Sequence, residues 1–200
     1  MIRVIGGRLK RQRLDTLDGT EVTRPTADRV RENLFNLLQG DVEDARVLDL
    51  FSGTGALGIE ALSRGAKSCC FVEKNRDAAQ VLKSNLQRLG LETSQVLVLL
   101  ADVAEVVQDP GKFSLAGHAF DLVFADPPYK SPWYQGSLLK LEQSGLLSKF
   151  CTVALEMSRY DDHEGVLSAD HGSSFVLRTQ RDYGKTRIQL WQLGEVSHQD

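Results

Sequence analysis

Asp126-Pro127-Pro128-Tyr129 puts an acid, two prolines and an aromatic ring directly after an apolar run, Asp121-Leu122-Val123-Phe124-Ala125. The run reads as a buried strand, so the four residues form the corner at which the chain leaves a sheet. Neither proline donates a backbone N–H, and both restrict φ. The acid ahead of them is held extended. Such a corner is rich in acceptors and poor in donors, which suits a partner that brings N–H groups. A ring beside it suits a flat partner. A nucleobase offering its amino group meets both demands. Taken alone, the same residues also describe a Pro-Pro turn that merely closes a strand.

Three more acids end apolar runs. Asp49 lies in Val47-Leu48-Asp49-Leu50-Phe51, ahead of Ser52-Gly53-Thr54-Gly55-Ala56-Leu57-Gly58. Gly53, Gly55 and Gly58 match G-x-G-x-x-G, and Glu73 follows Gly53 by about twenty residues, the spacing of a dinucleotide fingerprint in its strand–turn–helix setting. The fingerprint fits NAD and S-adenosylmethionine alike, because both carry a ribose whose hydroxyls Glu73 can accept. Asp49 separates them. A pyrophosphate is repelled by a carboxylate beside the helix N-terminus that binds it, whereas S-adenosylmethionine carries a sulfonium and an ammonium. Asp102, after Leu99-Leu100-Ala101, can accept from an adenine amino group. Asp49, Glu73, Asp102 and Asp126 would then form a row at the carboxyl edge of a sheet, where open α/β sheets bind ligands.

The elements that position these residues alternate. Strands are expected at Val47–Phe51, Ser68–Val72, Gln95–Leu100, Phe120–Ala125 and Thr152–Leu155, with helices at Ala56–Ser63, Asp77–Leu89, a short stretch from Val103, and residues 134–142. Fully apolar strands alternating with helices indicate a parallel sheet covered on both faces. Ser174–Thr179 and Thr186–Leu193 read as a closing hairpin joined by Arg181-Asp182-Tyr183-Gly184-Lys185, so at least one last strand runs antiparallel. Residues 108–118 read as a loop. Ahead of the sheet, residues 1–22 read as a short hairpin turning at Gly6-Gly7. Thr26 would then cap an amphipathic helix carrying Val30, Leu34, Leu37 and Leu38 and stopping at Gly40.

Composition sets limits. The chain has 200 residues, 42% hydrophobic and 26% charged, as expected of a globular protein with a sizeable core. No apolar run approaches the roughly 20 residues that span a bilayer, and the N-terminus lacks the apolar segment of a signal peptide. Cys69, Cys70 and Cys151 read as reduced core thiols of a cytoplasmic protein. The four histidines show no ligand spacing, so no metal is expected. The net charge of −3 is unevenly spread: residues 1–31 hold eight basic and four acidic residues. A basic arm on an acidic body suits a grip on phosphates, and it describes a solvated polar face equally well.

Asp49-x-Phe51-x-Gly53-x-Gly55 with Glu73, Asp102 and Asp126-Pro-Pro-Tyr resembles the class I S-adenosylmethionine-dependent methyltransferases that modify exocyclic amino nitrogens. Arg24-Pro25-Thr26-x-Asp28-Arg29-Val30-Arg31-Glu32, Leu48-Asp49-Leu50-Phe51-Ser52-Gly53 and Arg181-Asp182-Tyr183-Gly184-Lys185-Thr186 are together similar to the bacterial RsmD family, over nearly the whole chain to about Leu193. That family methylates N2 of a guanine in small-subunit (16S) ribosomal RNA. The resemblance implies a Rossmann-like class I methyltransferase fold. Its sheet would be mostly parallel and seven-stranded, with an antiparallel C-terminal strand, helices on both faces and a small N-terminal hairpin and helix. It implies an RNA-binding appendage over residues 1–40 and a cofactor-binding domain over 41–200. Asp49, Phe51, Gly53, Gly55, Glu73, Asp102 and Asp126 would surround S-adenosylmethionine. Asp126, Pro127, Pro128 and Tyr129 would be catalytic, and Arg8, Lys10, Arg11, Arg13, Arg24, Thr26, Arg29 and Lys130 would hold RNA. The expected partner is ribosomal RNA within a small subunit or its assembly intermediate, met by a monomer in the cytoplasm. The acidic stretch around Asp161, Asp162 and Glu164 matches nothing assignable.

Methyl transfer from a sulfonium releases a neutral thioether, so neither a metal nor an activated side-chain nucleophile is needed. The difficulty is the guanine N2 lone pair, delocalised into the ring. Asp126 and the carbonyl of Pro127 would each accept an N–H and orient that lone pair. Tyr129 would stack on the base, a contact worth roughly 1–3 kcal/mol, once the base is flipped out or unpaired. Lys130 and Trp133 would line its pocket, although Trp133 suits packing as well. The same corner fits an adenine N6 amino group or a glutamine side chain. An NAD-dependent oxidoreductase and a non-catalytic RNA-binding protein are the competing classes.

Overall fold

Residues 2–15 are less regular than a hairpin. In the computed structural model, which describes residues 2–17, 25–91, 94–128, 133, 136–160 and 174–194, β1 (Ile2–Arg3) and β2 (Arg13–Leu14) pair antiparallel over two residues each. The chain between them is a compact turn. Gly7 takes φ 71°, and a Cβ there would run into the carbonyl of Ser63, so only glycine fits this approach. Val4 and Leu14 are buried beneath the turn, while Arg8, Lys10, Arg11 and Arg13 are exposed.

Helix α1 (Pro25–Leu37) buries Val30, Leu34 and Phe35. It begins at Pro25, so Thr26 falls inside the first turn and not ahead of it. Proline is at ease there, because the first helical N–H has no partner to lose. Arg24 lies outside the described residues, as does the side chain of Thr26.

The chain divides into two compact units, residues 1–103 and 104–200. The first continues with β3 (Arg46–Leu50), α2 (Ala56–Ser63), β4 (Ser68–Glu73), α3 (Arg76–Arg88) and β5 (Val96–Leu100). β3, β4 and β5 run parallel, with Asp49 opposite Phe71 and Glu73 opposite Leu100. Val47, Leu48, Leu50, Phe71 and Val72 are fully buried, as central parallel strands require. On β5, by contrast, Leu97 and Leu100 are exposed.

The second unit takes in α4 (Val103–Gln108) from its second residue, a 3-10 turn at Pro110–Phe113, β6 (Phe120–Ala125), α5 (Ser137–Gln143), β7 (Leu147–Ser158), β8 (Phe175–Tyr183) and β9 (Thr186–Leu193). β7 runs parallel to β6, and β9 is antiparallel to both β7 and β8. The seven strands β3 to β9 form one mostly parallel sheet in the order β5-β4-β3-β6-β7-β9-β8.

Three boundaries differ from the sequence reading. The 108–118 stretch is not all loop, because Asp109 caps the 3-10 turn by accepting from the Lys112 N–H. β7 extends well beyond Thr152–Leu155, and Lys149 and Phe150 at its start are exposed. The C-terminal hairpin turns in two residues, Gly184-Lys185, with Tyr183 paired to Thr186 and Gly184 at φ 62°. A positive φ at the first turn position matches the twist of the flanking strands, so Arg181, Asp182 and Tyr183 belong to β8. Arg187 pins this end through two bonds to Asp182, at 2.8 and 3.1 Å.

The three cysteines are free and buried. Burial pushes the Cys70 thiol up to about 12, with the nearby Asp49 carboxylate adding to it, and raises Cys69 and Cys151 as well. Among the described residues no helix is long and apolar enough to cross a membrane.

Candidate active site

The link between β3 and α2 is a tight turn fastened by carboxylates. Phe51 leaves the strand at φ 61°, a region that residues with bulky side chains rarely occupy. Ser52 then returns to β4: its N–H and its hydroxyl both donate to the Val72 carbonyl, at 3.1 and 2.9 Å. The Gly55 N–H closes the turn on the Ser52 carbonyl at 2.8 Å. Gly53 and Gly55 both take positive φ, and a Cβ on Gly55 would strike Leu82 of α3. The loop therefore lies flat against α3, and glycine alone permits it.

Two acids hold the loop. Asp49 is 1% exposed, and its Oδ2 accepts from the Gly58 N–H in the first turn of α2 at 2.9 Å. Glu73 ends β4 and bridges two backbone groups: Oε2 accepts from the Gly53 N–H and Oε1 from the Asn75 N–H, each at 2.7 Å. Asn75 caps α3 by accepting from the Ala78 N–H at 3.0 Å. Asp102, just past β5, stays half-open to solvent, 3.6 Å from the Lys74 ammonium. Asp49, Phe51, Gly53, Gly55, Glu73 and Asp102 thus all belong to the first unit, at or just beyond the carboxyl ends of its three parallel strands.

This donor set suits S-adenosylmethionine. That molecule offers ribose hydroxyls, an adenine amino group and two positive charges, and it has no phosphate. The loop offers carboxylates, and two N–H groups that a phosphate would need are already bonded to them. A pyrophosphate would have to displace Asp49 and Glu73 and then lie against two negative charges. Among the described residues no group of three or more His, Cys, Asp or Glu is placed to hold a metal ion.

The second unit carries the acid–proline corner. Asp126 and Pro128 are exposed and Pro127 is buried. Solvent reaches Asp126, yet the protein around it strips part of its hydration and raises its carboxyl to about 6. Both hold for a group with one open side. Trp133 is partly buried, whereas Tyr129 and Lys130, and the acidic residues at 161–164, lie outside the described residues.

The basic residues of the arm are exposed as expected, and Arg29 is exposed on α1. What holds the arm was not expected. Glu60 of α2 is 1% exposed and accepts from the N–H groups of Ile5 and Gly6 and from Arg64, all at 2.7 Å. Ser63 accepts from the Leu9 N–H at 2.9 Å. Arg88 of α3 donates to the Arg13 carbonyl at 2.7 Å. Arg31 of α1 donates to the Arg3 carbonyl at 2.7 Å. The signal was present in the sequence: Glu60 and Ser63 interrupt an otherwise apolar helix, and a buried charge demands partners.

Comparisons with known proteins agree with this arrangement. The family model described as conserved hypothetical protein 95 matches residues 2–192. A Bacillus subtilis protein, YlbH, named provisionally as an rRNA methyltransferase, is 35% identical over 190 residues, 95% of this chain and 98% of the relative. The ribosomal RNA small subunit methyltransferase D of Escherichia coli K12 is 38% identical over 157 residues, 78% of this chain and 74% of the relative. The solved structure of the Escherichia coli yhhF protein, described provisionally as a methyltransferase, superposes with a TM-score of 0.80 at 31% identity and covers 96% of this chain and 97% of its own. A fold, a carboxylate-held glycine loop and a match along nearly the whole length lead to one conclusion: the chain belongs to the conserved hypothetical protein 95 family, that of the RsmD-type methyltransferases.

Proposed function

We propose that this chain transfers the methyl group of S-adenosylmethionine to the N2 amino group of a guanine in small-subunit ribosomal RNA, presented in a small subunit or its assembly intermediate. The observation that carries the cofactor is the capture of the Gly53 and Gly58 N–H groups by Glu73 and Asp49. It favours a cationic nucleoside over a dinucleotide. The RNA substrate is supported by the names of the relatives and by the four exposed basic residues of the arm.

When bound, S-adenosylmethionine supplies an electrophilic methyl and leaves as a neutral thioether. The chain's own task is to prepare the amino nitrogen. In this reading the Asp126 carboxylate and the Pro127 carbonyl each accept one N–H, which turns the lone pair out of conjugation and favours the charge that develops on nitrogen. Proline at 127 and 128 contributes no backbone N–H of its own to compete with the base. Tyr129 and Lys130 flank the base. Glu73 holds the ribose hydroxyls and keeps the loop closed through Gly53. Residues 1–40 form the RNA-binding appendage, with Arg8, Lys10, Arg11, Arg13, Arg24 and Arg29 on phosphates, and the protein works as a cytoplasmic monomer.

The test is transfer of labelled methyl from S-adenosylmethionine to free RNA and to small subunits from a strain lacking this protein, followed by mapping of the labelled base. Label on one guanine N2 is expected. Label on an adenine, or none on either substrate, overturns the reading.

A further inference from the structure

Asn85 lies on the buried stripe of α3, one turn after Leu82, and is fully buried. Its amide uses every hydrogen-bonding position it has. Oδ1 accepts from the Asp15 N–H and from Arg88, both at 2.9 Å. Nδ2 donates to the Asp15 carbonyl at 3.1 Å and to the Thr54 carbonyl at 3.2 Å. Asp15 follows β2 and anchors the basic arm. Thr54 stands between Gly53 and Gly55 in the cofactor loop. A single side chain therefore pairs with the backbone of the arm on one side and of the loop on the other. The loop is gripped twice, by Glu73 at the Gly53 N–H and by Asn85 at the Thr54 carbonyl.

We propose that Asn85 is a positioning residue that couples the seating of the arm to the affinity for cofactor. The inference rests on the cofactor and RNA assignments above. With the arm seated, Asn85 is fixed by Asp15 and Arg88, and its Nδ2 holds the loop in the shape described. With the arm lifted, the buried amide loses two bonds and its orientation, and the Thr54 carbonyl loses its donor. Cofactor binding thus stabilises the seated arm, and by reciprocity an RNA that settles the arm tightens cofactor binding. The link is one shared side chain, bonded directly to both segments.

The test uses the full chain, S-adenosylhomocysteine as the probe and no RNA. Calorimetric titration gives its affinity, and amide hydrogen exchange reads residues 8–15 with and without it. In the parent chain the probe should slow exchange at Asp15 and its neighbours at least about fivefold, the lower end of typical coupling. Asn85→Asp is nearly isosteric. It keeps the acceptor for Asp15 and Arg88 and loses the hydrogens toward Thr54 and the Asp15 carbonyl. It should weaken the probe at least about fivefold and abolish the slowing. Ser63→Ala loosens the arm at Leu9 without touching the loop, and it should also weaken the probe, at least about twofold. The proposal is overturned if the parent binds the probe with no change in arm exchange. It is overturned equally if Ser63→Ala speeds arm exchange while affinity stays at the parent value. A parent chain that does not bind the probe at all fails differently, since it removes the cofactor reading itself.

Discussion

At the scale of single residues, Asp126 is where pH enters the proposed reaction. Asp126 ionises near pH 6 in the folded chain, and in the proposed reaction its carboxylate accepts the base N–H more strongly than the neutral acid would. The specificity constant for RNA should therefore rise with pH through about 6 and level off above it, while Asp126→Asn should be far slower and flat over the same range. Stability should follow the reverse sign. A carboxyl raised by folding favours the native state when protonated, so its contribution is complete below pH 4 and is lost as pH rises through 6. Asp126→Asn should then unfold at higher urea than the parent at pH 7.5, with the advantage gone below pH 4. Solvent screens this exposed group, so the effect is small. Glu73→Ala should weaken S-adenosylmethionine by about 1.5–3 kcal/mol, the scale of hydrogen bonds to a charged group, read by calorimetry. The types and order of these residues were legible because chemistry fixes them. Their bonds were not. Asp49 was expected to act by charge on the ligand, and the structure shows its carboxylate bonded to Gly58 beneath the loop.

At the scale of elements, the arm is part of the domain's packing and not a loose tail. Glu60→Gln removes the charge and sets an amide hydrogen against Ile5, Gly6 or Arg64. It should destabilise the chain by about 2–4 kcal/mol in urea unfolding, the range for leaving buried partners of a charge unpaired. Neutralising Arg8, Lys10, Arg11 and Arg13 together should leave the melting temperature nearly unchanged. It should also flatten the salt dependence of RNA binding by roughly 0.7 to 0.9 per lost phosphate contact. β3, β4 and β6 were legible because strands buried on both faces must be apolar throughout. β8 was cut short because Arg181 and Asp182 are exposed near its end and, with Gly184 after them, read as the connecting turn. The arm's attachment escaped because Glu60 meets Ile5 across 55 residues of sequence, a distance at which local pattern says nothing.

At the scale of the whole molecule, ligand choice is the simplest check. S-adenosylmethionine at a hundred times its dissociation constant should stabilise the chain by about 2.7 kcal/mol, a rise of roughly 5–10 °C in melting temperature, whereas NAD should give none. The mostly parallel sheet of seven strands and its antiparallel ninth strand agree with the expected fold, while the division at residue 103 was not foreseen. The buried thiols give that division an experimental use. Cys69 and Cys70 stand on β4 in the first unit and Cys151 on β7 in the second. None can be alkylated until its strand is exposed, because the thiolate is both suppressed and out of reach. Pulses of a thiol reagent during slow unfolding, followed by peptide mapping, would therefore act as two independent clocks, one for each half of the sheet. Equal rates at β4 and β7 would describe a protein that opens as one body. A faster clock in either half would name the part that yields first.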